Sequence, residues 1–131
     1  MQVRIKPEQL QSVIQQMLHD IPQKCDNAID RAEQTVSKKA VQELKATSPV
    51  NERSPRSGTY AKGWTVKKTK GEAVIHNRTN PGLTHLLEHG HDILRNGRKV
   101  GHADAQEHIK DAADMVEEEM VKEVEKELDN L

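Results

Sequence analysis

Residues 80–91 read NPGLTHLLEHGH, and how this stretch folds decides what the rest of the chain can be. Asn80 is a helix-capping type, Pro81 suits a first helical position, and Gly90 suits the position just past a helix end. This punctuation predicts a helix of barely two turns. Inside it His85, Leu86, Leu87, Glu88 and His89 spell H-x-x-E-H, the pattern of a zinc-protease signature. Two histidines four residues apart face the same way on a helix, and the glutamate beside them can act as a base. As metal ligands, His85, Glu88 and His89 make the chain a zinc hydrolase. As caps, hydrogen-bond partners or interface residues, they belong to a structural helix.

The surroundings favour the structural reading. A catalytic zinc needs a third protein ligand and an open position. The remaining candidates, His91 and His102, fall beyond Gly90 in loop-like sequence, and the helix stops one residue after His89. A five-residue pattern also arises easily by chance in a chain with 7 His. The hydrolase stands as the alternative.

Outward from this helix the elements are predicted to alternate in type. Downstream, HDILRNGRKVGH (91–102) reads either as a polar turn or as a small hairpin around Asn96-Gly97. Upstream, TYAKGWTVKK (59–68) and EAVIHN (72–77) flank Gly71 and predict a β-hairpin. Tyr60, Trp64 and Val66 are expected on one strand face, with Val74 across from them. TSPVNERSPRSG (47–58), with two prolines and a glycine, predicts a long exposed loop.

The ends read as helices. Val3 and Ile5 suit a short strand, then Pro7 opens a helix carrying Leu10, Val13, Ile14, Met17 and Leu18. Asp20 either caps a second helix, with Cys25, Ala28, Ile29, Ala32, Val36, Ala40 and Leu44 along one stripe, or Pro22 merely kinks one long helix. Ala105 to Leu128 predicts a final long helix with Ile109, Ala112, Ala113, Val116, Met120, Val124 and Leu128 on its apolar stripe and glutamates opposite. The expected fold class is α+β: long N-terminal and C-terminal helices packed with a small antiparallel β-sheet. Residues 1–131 are read as a single domain with an exposed loop at 47–58.

Composition narrows the function. With 34% hydrophobic and 31% charged residues, no Phe, one Trp and one Tyr, the core must be aliphatic and thin, as in a subunit that takes part of its stability from neighbours. Cys25 is the only cysteine, which excludes an intramolecular disulfide and a Cys-rich zinc site. The N-terminus lacks the apolar region of a signal peptide, and no apolar run approaches the ~20 residues that span a bilayer, so the chain reads as soluble and unsecreted. The net charge of -1 divides into +1 over residues 1–51, +6 over 52–101 and -8 over 102–131. Such asymmetry suits head-to-tail packing of copies, although on charge alone an acidic solvated helix face explains the tail somewhat better. Lys67, Lys68 and Lys70, with Arg53, Arg56, Arg95, Arg98 and Lys99, offer a second alternative, a nucleic-acid-binding module. Trp64 and Tyr60 alone supply little base stacking.

Four segments in order, RSGTYAKGW, VIHNRTNPGLTHLLEHGH, RNGRKVGH and EHIKDAADMVEEEM, resemble the head-tail joining (tail-completion or neck) proteins of tailed bacteriophages and prophages. The resemblance spans residues 47 to about 125. Its motif positions fall on Gly58, Tyr60, Trp64, Asn77, His85, Leu86, Leu87, Glu88, Gly90, His91, His108 and Ile109. Ser57 replaces a usual Thr, and Glu107 stands where Pro commonly precedes the His-Ile pair. The resemblance implies a non-enzymatic virion protein, assembled in the host cytoplasm, that forms a ring of six at the neck. Its implied partners are itself, the head connector and the tail proteins. DNA passes through without sequence-specific binding, and neither cofactor, metal nor membrane is implied. It also implies that Leu83, Leu86 and Leu87 pack on the hairpin, while His85, Glu88, His89 and His91 supply hydrogen bonds within or between subunits.

Overall fold

The computed structural model describes residues 9–51, 53, 55–69 and 71–131. The expected strand at Val3 and Ile5 and the helix start at Pro7 lie outside the described residues. The fold is α+β: two long helices with two separate antiparallel hairpins and two short helices between them.

Helix α1 runs Leu10–Thr47 without interruption, so Pro22 lies inside one helix rather than between two. The proline removes one backbone hydrogen bond, in a stretch where most neighbouring side chains face solvent. Ala28, Ala32, Val36, Ala40 and Leu44 form the buried stripe, at the four-residue spacing of one helix face. The helix ends because Pro49 forces the residue before it out of the helical region: Ser48 is extended, with ψ at 143°.

Helix α4, Ile109–Asp129, packs on that stripe in the opposite direction, as Arg31 pairs with Glu127 while Lys39 reaches Glu119 and Glu123. It begins four residues later than the sequence suggests. Ala113 and Leu128, expected in its stripe, are exposed, and Glu119, Glu123 and Glu127 instead face α1. Small alanines bring the helices together, and the long acidic side chains lie over the seam with their charges paired. Among the described residues the first half of α1 extends past the end of α4. There Leu10, Ile14, Met17, Leu18 and Ile21 are between 47% and 68% exposed.

The first hairpin pairs β1, Trp64–Thr69, with β2, Glu72–Asn77, around the turn at Gly71. Its inner face carries Trp64, Val66, Lys68, Ala73, Ile75 and Asn77. Val66 sits opposite Ile75, whereas Val74 points outward, so the expected partner was one residue off; a one-residue shift exchanges the faces of a strand. Lys68 reaches Asp30 and Glu33 of α1 from this face. Tyr60 is not in the strand. Thr59–Lys62 form a single helical turn, α2, directly before it.

Helix α3 spans Leu83–His89. Asn80 and Pro81 form the turn ahead of it, where the carbonyl of Asn80 accepts from Leu83 N–H at 3.1 Å, and Asn80 makes no side-chain cap. Then β3, His91–Arg95, pairs with β4, Arg98–Ala103, through Asn96 and Gly97, both with positive φ as a type I′ turn requires. The hairpin reading of this stretch therefore holds over the turn reading. The core joins Leu44, Tyr60, Trp64 and Ala112, flanked by Val41, Ile75, Leu87 and Ile109.

Candidate functional site

Most motif residues from separate segments meet in one buried knot. Gly58 precedes α2 with a φ of 78°, and the turn places Tyr60 inward. Trp64 follows four residues later, and its ring meets that of Tyr60 edge-on, with centroids 5.7 Å apart. His108 completes a triangle of rings, 5.6 Å from Tyr60 and 6.2 Å from Trp64. Each polar atom on these rings has a partner. Trp64 donates from Nε1 to Ser48 Oγ at 2.7 Å, and Ser48 in turn donates to the carbonyl of Leu44. Tyr60 and His108 share a hydrogen bond of 2.6 Å between Oη and Nε2, and His108 Nδ1 lies 2.8 Å from the carbonyl of Gln106. That carbonyl can only accept, so Nδ1 carries the hydrogen, and in the neutral ring Nε2 accepts from Tyr60. Burial, and after it the charge of Glu88, push the Tyr60 hydroxyl up to about 12, so it stays a donor.

Asn77 ties the hairpin to this knot. It donates to the carbonyl of Tyr60 at 2.7 Å and accepts from Asn80 N–H at 2.8 Å and from Thr79 Oγ1 at 3.1 Å. Gly63 is required here by space, since a Cβ would lie 2.0 Å from Thr79 Oγ1.

Glu88 has a different task from the one its zinc-like motif suggests. Its carboxylate accepts three backbone N–H groups at the start of α4: His108 and Ile109 on Oε2 and Lys110 on Oε1, each at 2.9 Å. No side chain of α4's own first turn caps it. Glu88 thus serves as the N-terminal cap across about twenty residues, and its charge complements the positive end of the helix dipole. Burial alone would raise this carboxyl, but the three N–H groups and the nearby His108 hold it below its ordinary value of 4.5. Gly90 lets α3 turn toward this contact: its φ is 76°, and a Cβ would stand 2.7 Å from the carbonyl of Ala103. The N–H of Gln106 bonds the carbonyl of Leu87 at 2.7 Å, which fixes residues 104–108 as a crossing strap instead of helix.

Both histidines of the H-x-x-E-H stretch stay outside the knot. His85 and His89 are exposed and stack on each other at 6.2 Å. His91 opens β3, with a buried Nδ1 that has no hydrogen-bond partner among the described residues. Leu87 packs on the core, whereas Leu83 and Leu86 are 39% and 40% exposed, contrary to the expected packing. Among the described residues no group of three or more His, Cys, Asp or Glu side chains is placed to hold a metal ion. Beside Tyr60 lies an open groove of about 700 Å³, lined by residues such as Pro49, Val50, Asn80 and Leu83; among the described residues Arg56 and Tyr60 are its only titratable side chains. His85→Ala/His89→Ala should cost less than about 1 kcal/mol, as for exposed side chains generally. Thermal melts check this, and a zinc-dependent hydrolysis assay on the same proteins should find no activity in wild type.

Residues 12–90 match the model of the family described as "Bacteriophage HK97-gp10, putative tail-component". The chain belongs to this HK97-gp10-like family. It is accordingly a structural phage tail component by family, and no helix among the described residues is long and apolar enough to cross a membrane. The match covers most of α1, the first hairpin and α3; β3, β4 and α4 lie beyond it. No curated protein and no solved structure matches the chain.

Sequence reasoning missed Ser48, Gly63, Thr79 and Gln106, which complete the knot. Two signals were present: Ser48 stands immediately before Pro49 at a helix end, and Gly63 interrupts what otherwise reads as a strand.

Proposed function

We propose that this HK97-gp10-like protein is a head-tail joining subunit, forming a ring of six at the phage neck between the portal-side connector and the tail, with no catalytic turnover. One observation carries the reading. Tyr60, Trp64, Asn77, Glu88 and His108 have their polar groups satisfied inside a buried, hydrogen-bonded knot, while large apolar side chains of α1 and of the second hairpin are left on the surface. An enzyme shows the reverse, with unsatisfied polar groups converging on a cleft. A subunit that completes its packing in an assembly leaves uncovered apolar surface of this kind.

In this reading the single domain of residues 1–131 assembles in the host cytoplasm and stays in the virion. DNA passes through the ring without sequence-specific contact, and the partners are copies of the chain, the connector and the tail. Inactivating the gene in its phage or prophage should leave DNA-filled heads and complete tails unjoined in electron micrographs. The protein should also be found by mass spectrometry in purified wild-type virions. Joined particles formed without the protein would sink the proposal.

A further inference from the structure

The second hairpin is built unlike the first. Every residue from Asp92 to Val100 is exposed, including Ile93, Leu94 and Val100. A two-stranded hairpin with no covered face is marginal in water. At its tip Arg95 sits directly opposite Arg98, a like-charge cross-strand pair that costs stability, and neither forms an ion pair among the described residues. Lys99 adds a third cation, answered among the described residues by exposed Asp92 at 3.3 Å. An arm with apolar sides and an unneutralised cationic tip fits an acidic surface that also presents some apolar area.

The same chain carries such a surface. On the face of α4 turned away from α1, Asp114, Glu118, Val121 and Glu125 recur at helical spacing and are all exposed. Among the described residues Asp114 and Glu125 form no ion pair, and Glu118 has only the exposed Lys122 of its own helix. Val121 is 59% exposed in the middle of this acidic stripe.

We infer that the β3–β4 hairpin of one subunit docks on the outer face of α4 in a second copy, with Arg95 and Arg98 against Glu118 and Glu125, and Ile93, on the same hairpin face as the two arginines, against Val121. The contact joins two different patches, so it is heterologous, and repetition around an axis closes a ring. It rests on the joining-ring reading above and gives that ring its subunit contact. A nucleic-acid partner for the tip is disfavoured: Ile93, Leu94 and Val100 offer no stacking ring, and the acidic stripe would remain unanswered.

Purified protein at low salt and high concentration should self-associate in sedimentation equilibrium. Arg95→Glu/Arg98→Glu and, separately, Glu118→Arg/Glu125→Arg should each weaken association about tenfold or more while melting like wild type. An equimolar mixture of the two variants, or a chain carrying all four changes, should restore it. In a Cys25→Ser background, mixing an Ile93→Cys chain with a Val121→Cys chain under mild oxidation should give mainly the mixed disulfide dimer. Charge reversals that leave association unchanged overturn the inference, as does a monomeric wild type whose two cysteine variants do not cross-link. Binding of a labelled DNA duplex that Arg95→Glu/Arg98→Glu abolishes, in a protein that does not self-associate, overturns it in favour of nucleic acid. Any of these results in a protein still found in virions and needed for joining refutes the contact alone; absence from virions refutes the joining reading.

Discussion

Glu88→Ala should destabilise the protein by about 2–4 kcal/mol, a large share of the roughly 5–15 kcal/mol that keeps a typical domain folded. The substitution leaves the N–H groups of His108, Ile109 and Lys110 without their acceptor and removes a negative charge from the positive end of α4. The damage should be local first. Amide exchange over the opening turn of α4 should accelerate more than exchange in the middle of α1. Glu88→Gln keeps the shape and one acceptor oxygen but turns an NH₂ toward N–H donors, so about half the loss is expected.

The same contact fixes a pH dependence. The folded-state carboxyl titrates below its ordinary value of 4.5, so the stabilisation is fully present above that value and disappears as pH falls through the lower folded pKa. The gap in urea-unfolding free energy between wild type and Glu88→Gln should therefore be widest near neutrality and narrow on acidification below about pH 4.5. A gap that widened in acid, or a Glu88→Ala protein as stable as wild type at pH 7, would remove Glu88 from its capping role.

What could be read from the sequence was whatever rests on local periodicity and turn chemistry. Gly71 and Asn96-Gly97 mark both hairpins because their backbone requirements are strictly local. The α1 stripe from Ala28 to Leu44 follows from helical spacing alone, but whether Pro22 divided the helix was not decidable, since one missing hydrogen bond is smaller than the packing of the rest. Thr59–Lys62 is too short for periodicity to distinguish from the strand that follows. The start of α4 was misplaced for a different reason. Its cap comes from Glu88 on another element, and local rules look for the capping side chain next to the helix. The glutamates facing α1 read as solvent-facing residues, because their cations, Lys39 and Arg31, lie 80 to 96 residues away. Resemblance named the right set of residues at the knot, yet it held no information on which atoms meet. Leu83 and Leu86 show the limit, sharing the motif with Leu87 while facing solvent.

Trp64→Ala should be the most damaging single change in the protein, at about 3–5 kcal/mol, or a fall of about 10 °C or more in Tm. Trp64 is 5% exposed and is the largest side chain of a core that otherwise consists of Leu44, Tyr60 and Ala112 with partly buried neighbours. Its removal opens a cavity at the point where α1, α2, β1 and the start of α4 converge. Two edge-on ring contacts, each worth about 0.5–1.5 kcal/mol, go with it. Ser48 also loses its only side-chain donor at the end of α1. The terms can be separated by smaller changes. Ser48→Ala removes the indole's acceptor and keeps the packing, so about 1 kcal/mol is expected, and Trp64→Phe should fall between the two. Reversal of the outward-facing Glu117 and Glu118 to Lys should leave the melt nearly unchanged, because both are exposed, whereas adding Glu119→Lys should lower it by breaking the ion pair with Lys39. The order expected in thermal melts is thus Trp64→Ala, then Trp64→Phe, then Ser48→Ala. If Ser48→Ala costs as much as Trp64→Ala, the hydrogen bond and not the ring holds the knot together, and the packing account given for Trp64 is wrong.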